Sequence, residues 1–284
     1  MALVEKGIIN LDTPVDYYLK RWQLPDAGFD NNKVTVRRLL NHTSGLSIYP
    51  MSASINGYLP DEKLPSLHEV LSKSYNGYGK LRLIQNPGSG FQYNNGNYLI
   101  LQLLIEDVTG HSFSDYLQQK IFKPLSMVNT GCAWNKEIAD NIATPYNQEG
   151  ESWPHFQYVE EASGGIYTTI TDLTKFVAAM DSSDGNPPGR GVLKPETIHL
   201  MISPAEETGN QYGLGYQIAT LKKYGYFASH HGSNEGFNAL FLMDTKKRAG
   251  VVIMTNSDSG GRVVGEIVCE WAKWAGIELS EPCP

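Results

Sequence analysis

Near residue 206 the hydrophobic pattern of this chain changes its period, and that change limits the folds open to it. Before it, apolar residues recur at helical spacing between long polar loops. Beyond it they fall in short β-branched and aromatic runs separated by turns. "FNALFLMD" and "GVVIMTN", joined by "TKKRA", predict a hairpin; "YGLGYQIATL" and "GYFASHHG" predict further strands. The closing segment "GRVVGEIVCEWAKWAG" predicts a helix whose Val264, Ile267, Val268, Trp271 and Trp274 cover one face of that sheet. Helices first, then an antiparallel sheet, then a terminal helix is an α+β order. The 284 residues, 41% of them hydrophobic, are enough for one large domain over 1–284. Its helical region spans approximately 12–205, and its sheet and terminal helix approximately 206–284.

Several helices of the first part carry their own start and stop signals. "NYLILQLLIEDVTG" (97–110) has a broad apolar face of Leu99, Leu103 and Val108 widened by Leu101, Leu104 and Ile105, which predicts a deeply buried helix. "VTVRRLLNHTSGL" (34–46) predicts an extended entry and a short amphipathic helix stopped by Gly45. Ser112 or Ser114 is expected to cap a helix running to Phe122, and Thr171 the helix in "GGIYTTITDLTKFVAAM". Residues 47–90 are rich in Ser, Asn, Gly, Pro and Tyr and predict long loops around a helix near 66–74. Met1–Lys6 reads as the end of a helix, with Gly7 as its left-handed cap and no N-cap before it.

Composition excludes several functions. The net charge is −7 and no basic stripe is present, so no nucleic-acid partner is expected. No apolar run reaches the ~20 residues of a membrane helix, so a soluble chain is expected. "MALVEKGII" lacks the basic start of a signal peptide and carries Glu5 and Lys6, which leaves the compartment unassigned. Cys132, Cys269 and Cys283 form no disulfide framework; three free thiols are expected, one bridge being the alternative. No ligand spacing supports a metal site or a cofactor.

Five segments, in order, carry a resemblance. "VTVRRLLNHTSGL", "PGSGFQYNNGNYLILQLLIEDVTG", "EASGGIYTTITDLTKF", "YGLGYQI" and "HHGSNEGFNALFLMD…GVVIMTN" together span nearly the whole chain. They resemble the penicillin-recognising serine hydrolases: class C β-lactamases, D,D-peptidases and related esterases. The resemblance implies a β-lactamase/transpeptidase-like fold, an antiparallel sheet flanked by helices plus a mostly helical region. It implies an acyl-serine intermediate and a substrate that is an ester or amide: a β-lactam, a D-amino-acid peptide or a small ester.

The resemblance also implies roles. Tyr93 matches the general base or proton shuttle of a Tyr-x-Asn motif, and Asn95 its amide, which orients substrate and a lysine. Asn94 stands where serine is frequent. An unperturbed tyrosine has a pKa near 10, so Tyr93 needs a nearby ammonium to work at neutral pH. His230, His231 and Gly232 match a Lys-Thr-Gly or His-x-Gly strand. His230 carries far less charge than lysine at pH 7, which favours an esterase or peptidase-like hydrolase over an efficient β-lactamase. Gly232 lets a ligand approach the strand, and the backbone N–H of Ser233 is the expected oxyanion donor.

The family's Ser-x-x-Lys is absent. No lysine has a serine three positions before it, and Thr220 with Lys223 falls in a predicted strand. By alignment to "MALVEKG" the motif falls about ten residues before Met1, two to three helical turns away. The family's two N-terminal strands are then expected to be missing too, and the chain alone to be inactive. The alternative is a non-catalytic relative that binds a peptide or cell-wall fragment. A third option, Ser44 with His42 as its base, reads better as a helix exit held by local hydrogen bonds. Tyr49, Tyr58, Tyr75, Tyr78 and Trp153 are candidates to line a cleft. Oligomeric state is not legible.

Overall fold

The computed structural model describes residues 1–47, 57–73, 80–180, 185–221, 223–246 and 249–278. Tyr49, Tyr75 and Tyr78 lie outside the described residues. The architecture is α+β, built on an antiparallel sheet in the order β1-β2-β3-β4. Its strands are β1 (Gln217–Leu221), β2 (Gly225–Asn234), β3 (Phe237–Asp244) and β4 (Ala249–Thr255). The predicted hairpin is β3–β4, which pairs Asn238 with Thr255 and Asp244 with Ala249.

Strand alternation divides the sheet into two faces. On β2, Ala228 turns to one face with Phe241 and Met243 of β3, where they pack on Val177, Ile198 and Ile202. Those three belong to helices α7 (Ile170–Ala178) and α8 (Pro195–Ile202). Phe227 turns the other way and packs with Ala272 and Ile277, under the terminal helix α9 (Gly260–Trp274). The sheet is therefore sandwiched between helical layers.

The helical region is organised by α4 (Asn95–Thr109). Leu99, Ile100 and Leu103 are fully buried in one core with Val15, Val34, Leu39 and Leu83. Each such side chain contributes about 1.5–3 kcal/mol by leaving water. Gly110 ends the helix at φ +71, the left-handed turn that glycine adopts without a Cβ clash. Around it lie α1 (Ala2–Glu5), α2 (Val36–Leu40) and α3 (Leu67–Ser72). Next come α5 (Phe113–Leu117), continued by a π turn to Phe122, and α6 (Lys136–Asn141). As expected, Ser112 caps α5 and Gly7 has φ +69; α3 falls within the expected 66–74, and Ser66 and Glu69 form a reciprocal capping box on it.

Four expectations are corrected. Thr169, not Thr171, caps α7, accepting the N–H of Asp172. The α2 helix stops before Gly45, because His42 already turns left-handed at φ +59. On α9 the buried residues are Gly260, Cys269 and Ala272, whereas Ile267 and Trp274 are exposed. Cys132 is a free, buried thiol, but Cys269 is disulfide-bonded, so the three thiols are not all free.

Candidate active site

The Tyr-x-Asn segment is shaped by the start of α4. Asn94 is extended, and its side chain accepts the N–H of Gly96 at 2.9 Å while its Nδ2 donates to the Ser47 carbonyl at 2.7 Å. This cap satisfies a helix-end N–H that has no intrahelical partner. Tyr93 thus leaves the chain just before the helix, and Asn95 is the first helical residue. Both line a cavity of about 1280 Å³. Asn95 is 9% exposed, yet neither its amide nor the Tyr93 hydroxyl makes a hydrogen bond with any described residue. Burial raises the Tyr93 pKa above its ordinary value.

The far wall is β2, which brings His230, Gly232 and Ser233 to the same cavity. The β2–β3 turn is tight, with Asn234 paired to Phe237 across Glu235 and Gly236. Ladder bonds alternate outward from that pair, so the N–H of Ser233 points away from β3. On that side β1 reaches only Gln217, opposite Ser229. Among the described residues no strand pairs with Ser233 on that side, and Ser233 lines the cavity together with Gly215 and Tyr216. Asn234 Nδ2 fastens the strand end to the Gly164 carbonyl at 2.9 Å.

Behind these residues lies a cluster of tilted and edge-on rings centred on His42. Its ring is 4.4 Å from that of Tyr93, 5.3 Å from Tyr98 and 4.8 Å from Tyr212, between centroids. His42 Nδ1 faces the Asn94 N–H at 3.2 Å and Asn97 Nδ2 at 3.1 Å. Its Nε2 lies 3.3 Å from the Tyr212 hydroxyl, which is 3.1 Å from His230 Nε2. Burial, then the charge of His230, pushes His42 down to about 3. Burial likewise lowers His230. Ser44 is buried and donates to Asn97 Oδ1 at 2.7 Å. With both His42 nitrogens engaged elsewhere, Ser44 has no base there, and the structural reading of "HTSG" accounts for both residues.

The remaining walls include Tyr158, Glu160, Glu161 and Glu235. Glu161 is pushed up to about 7 by burial and then by the charge of Glu106. Lysine and arginine are absent from the described lining residues. Among the described residues no group of His, Cys, Asp and Glu side chains is placed to hold a metal ion, and no helix is long and apolar enough to cross a membrane. Tyr58 and Trp153 do not line the cavity; Trp153 instead donates to Asp258 at 2.8 Å.

A family model described as Beta-lactamase matches residues 1–266. The chain belongs to the Beta-lactamase family. Its fold is β-lactamase/transpeptidase-like, and the family is one of serine hydrolases related to penicillin-binding proteins. Curated relatives include Protein flp of Staphylococcus aureus, 24% identical over 91% of this chain and 50% of that protein. Another is penicillin-binding protein 4* of Bacillus subtilis, 25% identical over 91% of this chain and 57% of that protein. The chain therefore spans about half the length of these relatives. Among solved structures, the octameric penicillin-binding protein homologue from Pyrococcus abyssi superposes with a TM-score of 0.76. That match covers 100% of this chain and 64% of that one, at 24% identity.

The five site residues expected from the Beta-lactamase motifs thus share one cavity. Sequence reasoning did not single out Tyr212, Tyr98 or Asn97, which surround His42. Tyr212 lay in a segment already quoted for its resemblance, but a lone tyrosine before a strand gives no signal that its hydroxyl meets two histidines.

Proposed function

We propose that this chain carries the proton-transfer and oxyanion half of an acyl-transfer site in a serine hydrolase acting on an ester or amide. The observation that carries the reading is the convergence of Tyr93, Asn95 and Ser233 on one cavity, with no hydrogen bond from the Tyr93 hydroxyl or the Asn95 amide to a described residue.

In this reading a serine outside the chain attacks the substrate carbonyl, and Tyr93, held as the phenolate beside the lysine ammonium, takes its proton. The N–H of Ser233 holds the developing oxyanion, where a single donor is typically worth about 10²–10³ in rate. Tyr93 then returns its proton to the leaving group, and water releases the acyl-serine. Asn95 hydrogen-bonds substrate and orients the lysine. Gly232 lets the acyl group lie against β2, and His230 walls the leaving-group side. Nucleophile and lysine form a Ser-x-x-Lys in a segment preceding Met1, so the chain alone is inactive. Candidate substrates are β-lactams, D-amino-acid peptides and small esters. No cofactor enters the scheme.

The test compares a longer natural protein with its Tyr93→Phe variant on an activated ester. Loss of at least about 10² in kcat is expected, in the range of a lost general base. Unchanged turnover would remove Tyr93 from the mechanism. A second reading, a cleft that only binds a peptide or cell-wall fragment, is favoured by one observation: burial raises Tyr93 and no described cation lowers it. Peptide binding by the longer protein with no covalent adduct would support it.

A further inference from the structure

We infer that His42 is a positioning residue which, through the Tyr212 hydroxyl, fixes His230 as the neutral Nδ1–H tautomer. The inference deepens the reading above and rests on it only for its catalytic meaning.

The bonds can be assigned one at a time. Asn94 offers a backbone N–H to His42 Nδ1, so that nitrogen is an acceptor. The Asn97 amide agrees: Ser44 Oγ accepts the Leu46 N–H, so its own proton goes to Asn97 Oδ1, which leaves Asn97 Nδ2 facing His42 Nδ1. The ring proton of neutral His42 is therefore on Nε2 and points to the Tyr212 oxygen. At the other end, His230 Nδ1 lies 2.8 Å from the His231 carbonyl, which can only accept. The His230 proton is on Nδ1, its Nε2 is bare, and Tyr212 donates to it. The proton order runs from His42 Nε2 to Tyr212, from Tyr212 to His230 Nε2, and from His230 Nδ1 to the His231 carbonyl.

The groups facing His230 are Tyr93 across the cavity, Tyr212, and the neighbouring His231, with His42 and Tyr98 behind Tyr212. A second proton on His230 requires Tyr212 to give up that bond and turn its own proton to Tyr98. The Tyr98 hydroxyl can take it, since its proton goes to the Leu40 carbonyl at 3.1 Å. Five carboxylates line the cavity, Asp115, Glu137, Glu160, Glu161 and Glu235, with no described lysine or arginine among the lining residues. With both His230 nitrogens engaged, β2 presents an uncharged ring to the substrate. A free substrate carboxylate therefore meets no positive charge on this ring.

The test is ¹⁵N-histidine NMR of this chain across the histidine titration range, which needs no turnover. His230 is expected to show a proton on Nδ1 only and a midpoint below the ordinary ~6.5. Tyr212→Phe removes the donor to Nε2. The Nε2–H tautomer should then grow and the midpoint rise by roughly one pH unit, the equivalent of one hydrogen bond. If that variant loses its fold, His42→Asn carries the test, because Asn tolerates the left-handed backbone. Mixed tautomers are expected there with Tyr212 still present. A wild-type His230 protonated on Nε2, or folded variants with unchanged tautomer and midpoint, would overturn the inference. Failure of the ester test above would leave these signals untouched, and the reverse also holds.

Discussion

The rings of His42 and Tyr93 lie 4.4 Å apart, and the histidine brings no charge to the phenol. His42 is held near 3, so it is neutral at any pH where the enzyme would work. In the proposed mechanism Tyr93 therefore depends on a cation from elsewhere. In this chain alone the phenol should titrate above 10, read as the phenolate absorbance lost in Tyr93→Phe. In a longer protein carrying the Ser-x-x-Lys lysine, its midpoint should fall. A Tyr93 that ionises below its ordinary value in this chain would show an unrecognised cation.

Asn94 couples site and fold through its cap on α4. Asn94→Ala removes the acceptor for Gly96 and the donor to Ser47. It should destabilise the chain by about 1–2 kcal/mol. Asn94→Ser keeps a capping oxygen and should recover most of that loss in denaturant melts.

Gly236 sets the turn that aims Ser233. It sits at φ +69, and a Cβ there would come 2.4 Å from Pro145 Cβ. Gly236→Ala combines a left-handed strain of roughly 1–2 kcal/mol with a clash the proline ring cannot evade. Thermal unfolding should report a loss larger than the strain alone. Hydrogen exchange should quicken at Asn234 and Phe237, the pair closing the turn.

Glu161 gives the cavity a pH dependence. Its carboxyl is raised to about 7 from an ordinary ~4.3. A raised group supports stability below its unfolded pKa and loses that support as pH rises through its folded value. Stability should therefore fall between about pH 4 and pH 7 through this residue. Glu161→Gln should leave unfolding unchanged at pH 4 and stabilise the chain at pH 8. Equal effects at both would contradict the assignment.

The sequence made some of this architecture legible because its signals are local. The Leu99–Leu103 stripe, the Ser112 cap and the β3–β4 hairpin each follow from spacing and turn chemistry within a few residues. Caps two residues from an equivalent neighbour did not resolve: Thr169 and Thr171 offer the same hydroxyl, and only packing chooses. Ordered motifs picked out Tyr93 and His230, and the two line one cavity. The link between His42, Tyr212 and His230 was not. It depends on three ring orientations set by tertiary contacts, and no residue spacing encodes them. The exposure of Ile267 and Trp274 was equally hidden, since helical period marks an apolar face without saying what lies against it.

The central claim is that this cleft is completed by a serine nucleophile from outside the chain. Intact-mass measurement after exposure to a fluorophosphonate tests it most directly, on this chain and on the protein isolated from its natural host. The account predicts no adduct on this chain, and on the host protein a single adduct mapped upstream of Met1 and slowed by Tyr93→Phe. An adduct on this chain itself, or a host protein of the same mass that takes no label, would contradict it.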